Sequence, residues 1–126
     1  MVAYRDIPPL QVALSTRARD AVIVQVRGEV DVYTAPLLRD RVEEAFDSGS
    51  PRVIIDLTAV GFLDSHGLSA LVCAHKQAAA RDVELRVVAT TAGVIDPLGL
   101  TGLDAMLEMC CSVEEALRPL IGTAPH

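Results

Sequence analysis

The run Val53-Ile54-Ile55-Asp56-Leu57 constrains this chain more than any other stretch. It is almost continuously apolar and rich in β-branched residues. A strand that is apolar on both sides belongs inside a sheet covered on both faces, as parallel sheets are. The chain leaves it through Phe62-Leu63-Asp64-Ser65-His66-Gly67 and enters a helical pattern from Ser65 to Ala80. Parallel strands need such crossovers.

The same alternation runs through the rest of the sequence. Gln11 to Leu14 and Ala21 to Val26 read as strands, the second rich in Val and Ile. A helix follows, with Thr34 as N-cap, Pro36 in the first turn and Leu38, Val42, Ala45 and Phe46 on one face. Ser48-Gly49-Ser50-Pro51 stops it. Val83 to Val88 is a further strand, and Thr91 to Leu98 is helical but short or broken at Pro97. Ala105 to Met109 is expected as the last strand. Ser112 and Glu115 form a capping box for a last helix ending at Pro119. The order β β α β α β α β α predicts an α/β domain. Its sheet is mixed and mostly parallel, with four to five strands and about four helices, and the first two strands form a hairpin. No repeat or linker divides residues 1–126, so one domain is expected, with a core from about residue 10 to 120.

Charge narrows the function. The 126 residues carry a formal net charge of −6, and the ten Arg and single Lys (Lys76) are scattered. A nucleic-acid binder would present a basic patch, so direct binding to DNA or RNA is not expected. No apolar run reaches the roughly 18 residues of a membrane span. The N-terminal MVAYRDIPPL lacks the pattern of a secretory signal, so a cytoplasmic protein without a membrane partner is expected. Cys73, Cys110 and Cys111 have neither a disulfide-framework pattern nor zinc-site spacing. They read as plain thiols or as a redox pair of Cys73 with Cys110 or Cys111. The pair requires Cα atoms within roughly 7 Å.

On a wheel of about 100° per residue, Leu68, Leu71, Val72, His75 and Ala79 form a stripe expected to face the sheet. His66, Ala70, Cys73 and Gln77 fall opposite, with Ser69 between. That outward side is small and weakly polar, where a solvated face usually carries Glu and Lys. It reads either as an alanine-rich surface or as a docking face. Ser65 stands where the helix begins. Either it or Asp64 caps the helix, and the hydroxyl is also open to modification. A phosphate would add a charge of about −1.5 to −2. The helix N-terminus tolerates that charge, and Asp64 opposes it. Asp64, Ser65 and His66 do not make a catalytic triad, because adjacent helical residues diverge by about 100°. GxSxG, GxxxxGK[ST] and HExxH are absent from the sequence. No catalytic residue, cofactor or metal site is expected.

Two blocks carry a resemblance. Gly28-Glu29-Val30-Asp31 with Thr34 to Arg39, and Ile55-Asp56-Leu57 through Phe62 to Leu68, resemble the STAS domains of bacterial anti-sigma factor antagonists. The resemblance implies a single STAS domain that binds an anti-sigma factor, itself a serine kinase, and so releases a sigma factor. It also implies that the kinase phosphorylates the serine after the loop aspartate, which ends binding, and that a PP2C-type phosphatase restores it. By position Ser65 is the phosphoacceptor, Asp64 its neighbour and Gly67 the glycine that opens the helix. Asp31 is an acidic position beside the acceptor, placed to orient its hydroxyl or touch the partner. With the helix face, the expected partner surface is Asp31, Asp64, Ser65, His66, Gly67, Ser69, Ala70 and Cys73. Many members have Ser or Thr where this chain has His66. Histidine changes charge near neutral pH, so here it could meet a phosphate on Ser65 or a partner carboxylate. The alternatives are constitutive binding, redox control through Cys73 with Cys110 or Cys111, or a STAS module that senses a ligand or scaffolds a complex.

Overall fold

The computed structural model describes residues 10–17 and 20–118. The N-terminal segment read above as lacking a signal, and the helix stop at Pro119, lie outside them. β1 (Leu10–Arg17) and β2 (Ala21–Val30) form the expected antiparallel hairpin. β3 (Arg52–Leu63), β4 (Glu84–Val88) and β5 (Glu108–Cys110) join in parallel, in the order β1-β2-β3-β4-β5. The crossovers are α1 (Ala35–Asp47), α2 (Ser65–Arg81), and the pair α3 (Ala92–Thr101) and α4 (Leu103–Met106); α5 (Val113–Ala116) follows β5.

Strand alternation decides which side chains go where. Val22, Val24 and Val26 of β2, Val53, Ile55 and Leu57 of β3, and Leu85 and Val87 of β4 face one side. There they pack with Leu38, Val42 and Phe46 of α1, Leu71 of α2 and Val94 and Leu98 of α3. Each such side chain contributes about 1.5–3 kcal/mol over leaving it in water. The opposite face holds a smaller cluster of Ala21, Ile23, Ile54, Val88, Cys110 and Ala116 under α5. Val53 to Leu57 is therefore buried on both sides, as expected.

Short α5 is held by charge. Arg86, 3 % exposed, donates to the carbonyls of Ala116 (2.7 Å) and Arg118, and Arg52 donates to that of Leu117 (2.7 Å). Glu84 lies between the two guanidiniums and pairs with both. The carbonyls that end a helix otherwise lack partners. At the other end Ser112 Oγ accepts from Glu115 N–H (3.0 Å), half of the expected box. The Glu115 carboxylate reaches Cys111 N–H (2.6 Å) instead of that of Ser112.

Three boundaries differ from expectation. β3 runs on to Leu63 because its pairing with β2 shifts twice, between Gln25 and Arg27 and between Gly28 and Glu29. Each shift inserts one extra β3 residue. Leu57, Val60 and Leu63 therefore point to the core at every third position, which hides the strand from a period-two reading. α3 passes through Pro97, with Val94 and Leu98 anchored in the core on either side of it. Gly102, at φ 78°, ends α3 and starts α4, so Ala105 is helical and β5 begins at Glu108.

Candidate functional site

β2 and β3 leave the sheet side by side at one end. Val30 pairs with Leu63, and Asp64 N–H donates to Val30 O (3.0 Å). The β2–α1 loop therefore lies against the N-terminus of α2. Asp31 organises its own loop. Its Oδ1 accepts from the N–H groups of Tyr33 (2.9 Å) and Thr34 (3.0 Å) and from the Thr34 hydroxyl (3.2 Å). Thr34 Oγ1 accepts from Asp31 N–H and lies 2.9 Å from Glu29 O. Thr34 thus occupies the expected N-cap position without capping α1; it ties the loop to the end of β2. Asp31 makes no contact that orients the Ser65 hydroxyl; its carboxylate holds Val32 and Tyr33 outward.

At α2 the capping question has a definite answer. Asp64 is the N-cap: Oδ1 accepts from His66 N–H (2.8 Å) and Gly67 N–H (3.2 Å). Oδ2 faces His66 Nδ1 at 3.4 Å. Partial desolvation of the Asp64 carboxylate raises its pKa, but the Gly67 and His66 N–H groups and the His66 ring outweigh this and hold it below the usual carboxylate value. With the capping role filled, Ser65 is an exposed first helical residue. Its hydroxyl makes no hydrogen bond among the described residues. Gly67 is needed for packing. A Cβ there would stand 2.5 Å from Leu63 Cγ and 3.0 Å from Val30 Cγ1.

The face of α2 differs from the wheel. The buried stripe is Gly67, Ala70, Leu71, Ala74 and Ala78, so Val72 and His75 move to its flanks and Ala79 to solvent. The helix is turned so that its small residues meet the sheet and α1, where close approach demands them. Ala70, expected on the partner surface, is 5 % exposed and belongs to the core. Gly67 is buried too. Cys73 sits half-buried beside α1, with Arg39 Nη1 3.4 Å from its sulfur. Asp64, Ser65, His66 and Ser69 stay accessible.

The cysteine pair is not assembled. Cys73 lies on α2, on one face of the sheet, whereas Cys110 is buried in the cluster on the other face and Cys111 is exposed there. The sheet stands between them, and all three thiols are free. Burial pushes the Cys110 thiol pKa up, and Glu115 adds to this, so it stays protonated. This placement does not bring Cys73 together with Cys110 or Cys111.

Three surface residues escaped the sequence reading. Val32 (48 % exposed) and Tyr33 (88 %) on the β2–α1 loop and Phe62 (47 %) near the end of β3 are exposed apolar residues at the same end of the sheet as Ser65. A signal was present: Tyr33 and Phe62 are two of only four aromatic residues in the chain, and both flank loops. Large exposed apolar groups gathered at one place mark interaction surfaces.

The STAS domain profile matches residues 13–116. The chain belongs to the STAS domain family. This STAS domain is 31 % identical over 100 residues to the anti-sigma-F factor antagonist RsfB of Mycobacterium tuberculosis, covering 79 % of the chain and 81 % of the relative. It is 30 % identical over 100 residues to the anti-sigma-B factor antagonist of Listeria monocytogenes, covering 79 % and 88 %. The crystal structure of an anti-sigma factor antagonist from Mycobacterium paratuberculosis superposes with a TM-score of 0.80 at 30 % identity, covering 86 % of this chain and 91 % of that one. All three are named as anti-sigma factor antagonists. Among the described residues of the STAS domain no group of three or more His, Cys, Asp or Glu could hold a metal, and no helix is long and apolar enough to cross a membrane.

Proposed function

We propose that this STAS domain is an anti-sigma factor antagonist of the cytoplasm. It docks on an anti-sigma factor, a serine kinase, through the end of the sheet formed by the β2–α1 loop and the start of α2, and so releases a sigma factor. Phosphorylation of Ser65 by the bound kinase ends the contact, and a PP2C-type phosphatase restores it. The observation that carries this reading is the division of labour at α2: Asp64 does the capping, which leaves the Ser65 hydroxyl free and exposed. Tyr33, Val32 and Phe62 supply apolar contact area beside it. His66 and Ser69 add polar contacts, and Cys73 lies at the margin toward α1. A phosphate placed within such a contact must be desolvated against Asp64 and the partner. A cost of about 3 kcal/mol weakens binding about a hundredfold, enough for one modification to act as a switch.

The test is incubation with the cognate anti-sigma kinase and ATP, followed by intact-mass measurement. One phosphate is expected on the native chain and none on Ser65→Ala. Equal phosphorylation of both, or of neither, overturns the Ser65 assignment. Tyr33→Ala is expected to weaken binding to the unphosphorylated protein at least tenfold by isothermal titration calorimetry.

A further inference from the structure

Among the described residues a phosphate on Ser65 would meet few free partners. The N–H groups of His66 and Gly67, which a phosphate at this helix end would otherwise use, already donate to Asp64 Oδ1. Among the described residues of the β2–α1 loop and the start of α2, the other charges have its own sign. Asp64 precedes it, Asp31 lies on the adjoining loop, and Glu29 pairs with Phe62 in the ladder. Arg39, on α1, points its guanidinium to Cys73, two turns along α2 from Ser65. Between Gly61 and Val72, and between Gly28 and Leu38, His66 is the one side chain able to carry positive charge. Its ring, 52 % exposed, is turned toward the Asp64 carboxylate through Nδ1. Nε2 makes no hydrogen bond among the described residues.

We propose that His66 is the counter-ion of the Ser65 phosphate. The phosphate extends well beyond the hydroxyl that carries it, so the ring, which diverges from the Ser65 Oγ direction along the helix, offers Nε2–H to the phosphate while Nδ1–H stays on the Asp64 carboxylate. Two like charges are thereby held side by side, and the ring offsets part of the negative charge that the modification adds to the docking end. His66 acts here as a positioning residue for the phosphate. The inference deepens the function proposed above and rests on it for Ser65 as the acceptor.

The test needs neither kinase nor partner. Phosphoserine is incorporated at position 65 of the full chain by codon reassignment, and the phosphate is titrated by phosphorus NMR. The same is done with His66→Gln and His66→Arg, each first checked for the native fold by circular dichroism. A neighbouring cation favours the dianion. The phosphate midpoint is therefore expected to lie about half a pH unit or more lower with His66 than with Gln, and Arg is expected to keep it low. Superimposed curves for His66 and Gln overturn the proposal, as does an Arg variant that titrates like Gln. A phosphoprotein that binds the anti-sigma factor as tightly as the unmodified chain would instead refute the Ser65 switch, and the NMR comparison would still decide the contact.

Discussion

At the scale of single residues, neighbours in the Asp64-Ser65-His66 turn have opposite structural weight. Asp64 satisfies two N–H groups at the start of α2, whereas the Ser65 hydroxyl satisfies none. Ser65→Ala is therefore expected to change unfolding free energy by less than about 0.5 kcal/mol, measured by urea denaturation, while Asp64→Ala lowers the melting temperature. The Asp64 pKa is lowered in the folded state from an ordinary value of 3.8. Its charge-dependent contribution to stability is complete above the ordinary value and is lost as pH falls through the lowered folded value. Asp64→Asn removes that contribution, so the native protein and the variant are expected to differ in stability at neutral pH and to converge in acid. Urea midpoints measured from pH 7 downward check this, and a constant difference across the range would contradict it. The choice between Asp64 and Ser65 as cap was open in the sequence, because both residue types cap helices. Only the carboxylate's reach to two successive N–H groups separates them.

At the scale of elements, close approaches decide tolerance to change. A Cβ on Gly93 would stand 2.0 Å from Gly61 O, a backbone atom at the second irregularity of β3. A Cβ on Gly67 meets side chains only, buried Leu63 at Cγ and Val30 at Cγ1, which must repack around it. Gly67→Ala gains about 1 kcal/mol of helix propensity against about 1–3 kcal/mol of overpacking, a small net loss. Gly93→Ala has no such relief and is expected to be clearly the more destabilising in thermal melts. Elements with regular periods were legible in the sequence: the hairpin, the Val53–Leu57 core of β3, and the long helices α1 and α2. What escaped has a physical cause in each case. The Leu57, Val60 and Leu63 positions follow a period of three imposed by pairing shifts with β2, and no single strand reveals its partner's register. The buried face of α2 is hidden in the sequence because Ala and Gly carry little apolar signal, although small size is what lets that helix settle against α1 and the sheet.

At the scale of the whole molecule the cover is uneven, with long helices on one face and four-residue α5 on the other. Arg52, Arg86 and Glu84 fasten α5 to the sheet. Removing Glu84 leaves a buried guanidinium short of its counter-ion. Glu84→Ala is expected to cost about 3 kcal/mol, near the lower end for breaking a buried pair because Glu84 is partly exposed. The loss would be read by denaturant unfolding, together with faster amide exchange in α5. Glu84 pairs with the start of β3 and Ser65 follows its end, so Glu84→Ala is expected to leave the docking proposed above unchanged. The thiols divide along the same partition. Cys111 is exposed, whereas Cys110 is buried and held protonated, so native alkylation is expected to be fast at the first and slow at the second. The sheet thus gives the molecule a front and a back. A dye or surface tether placed on Cys111 leaves the Ser65 end unobstructed, so the fold supplies its own handle on the side that a partner does not need to read.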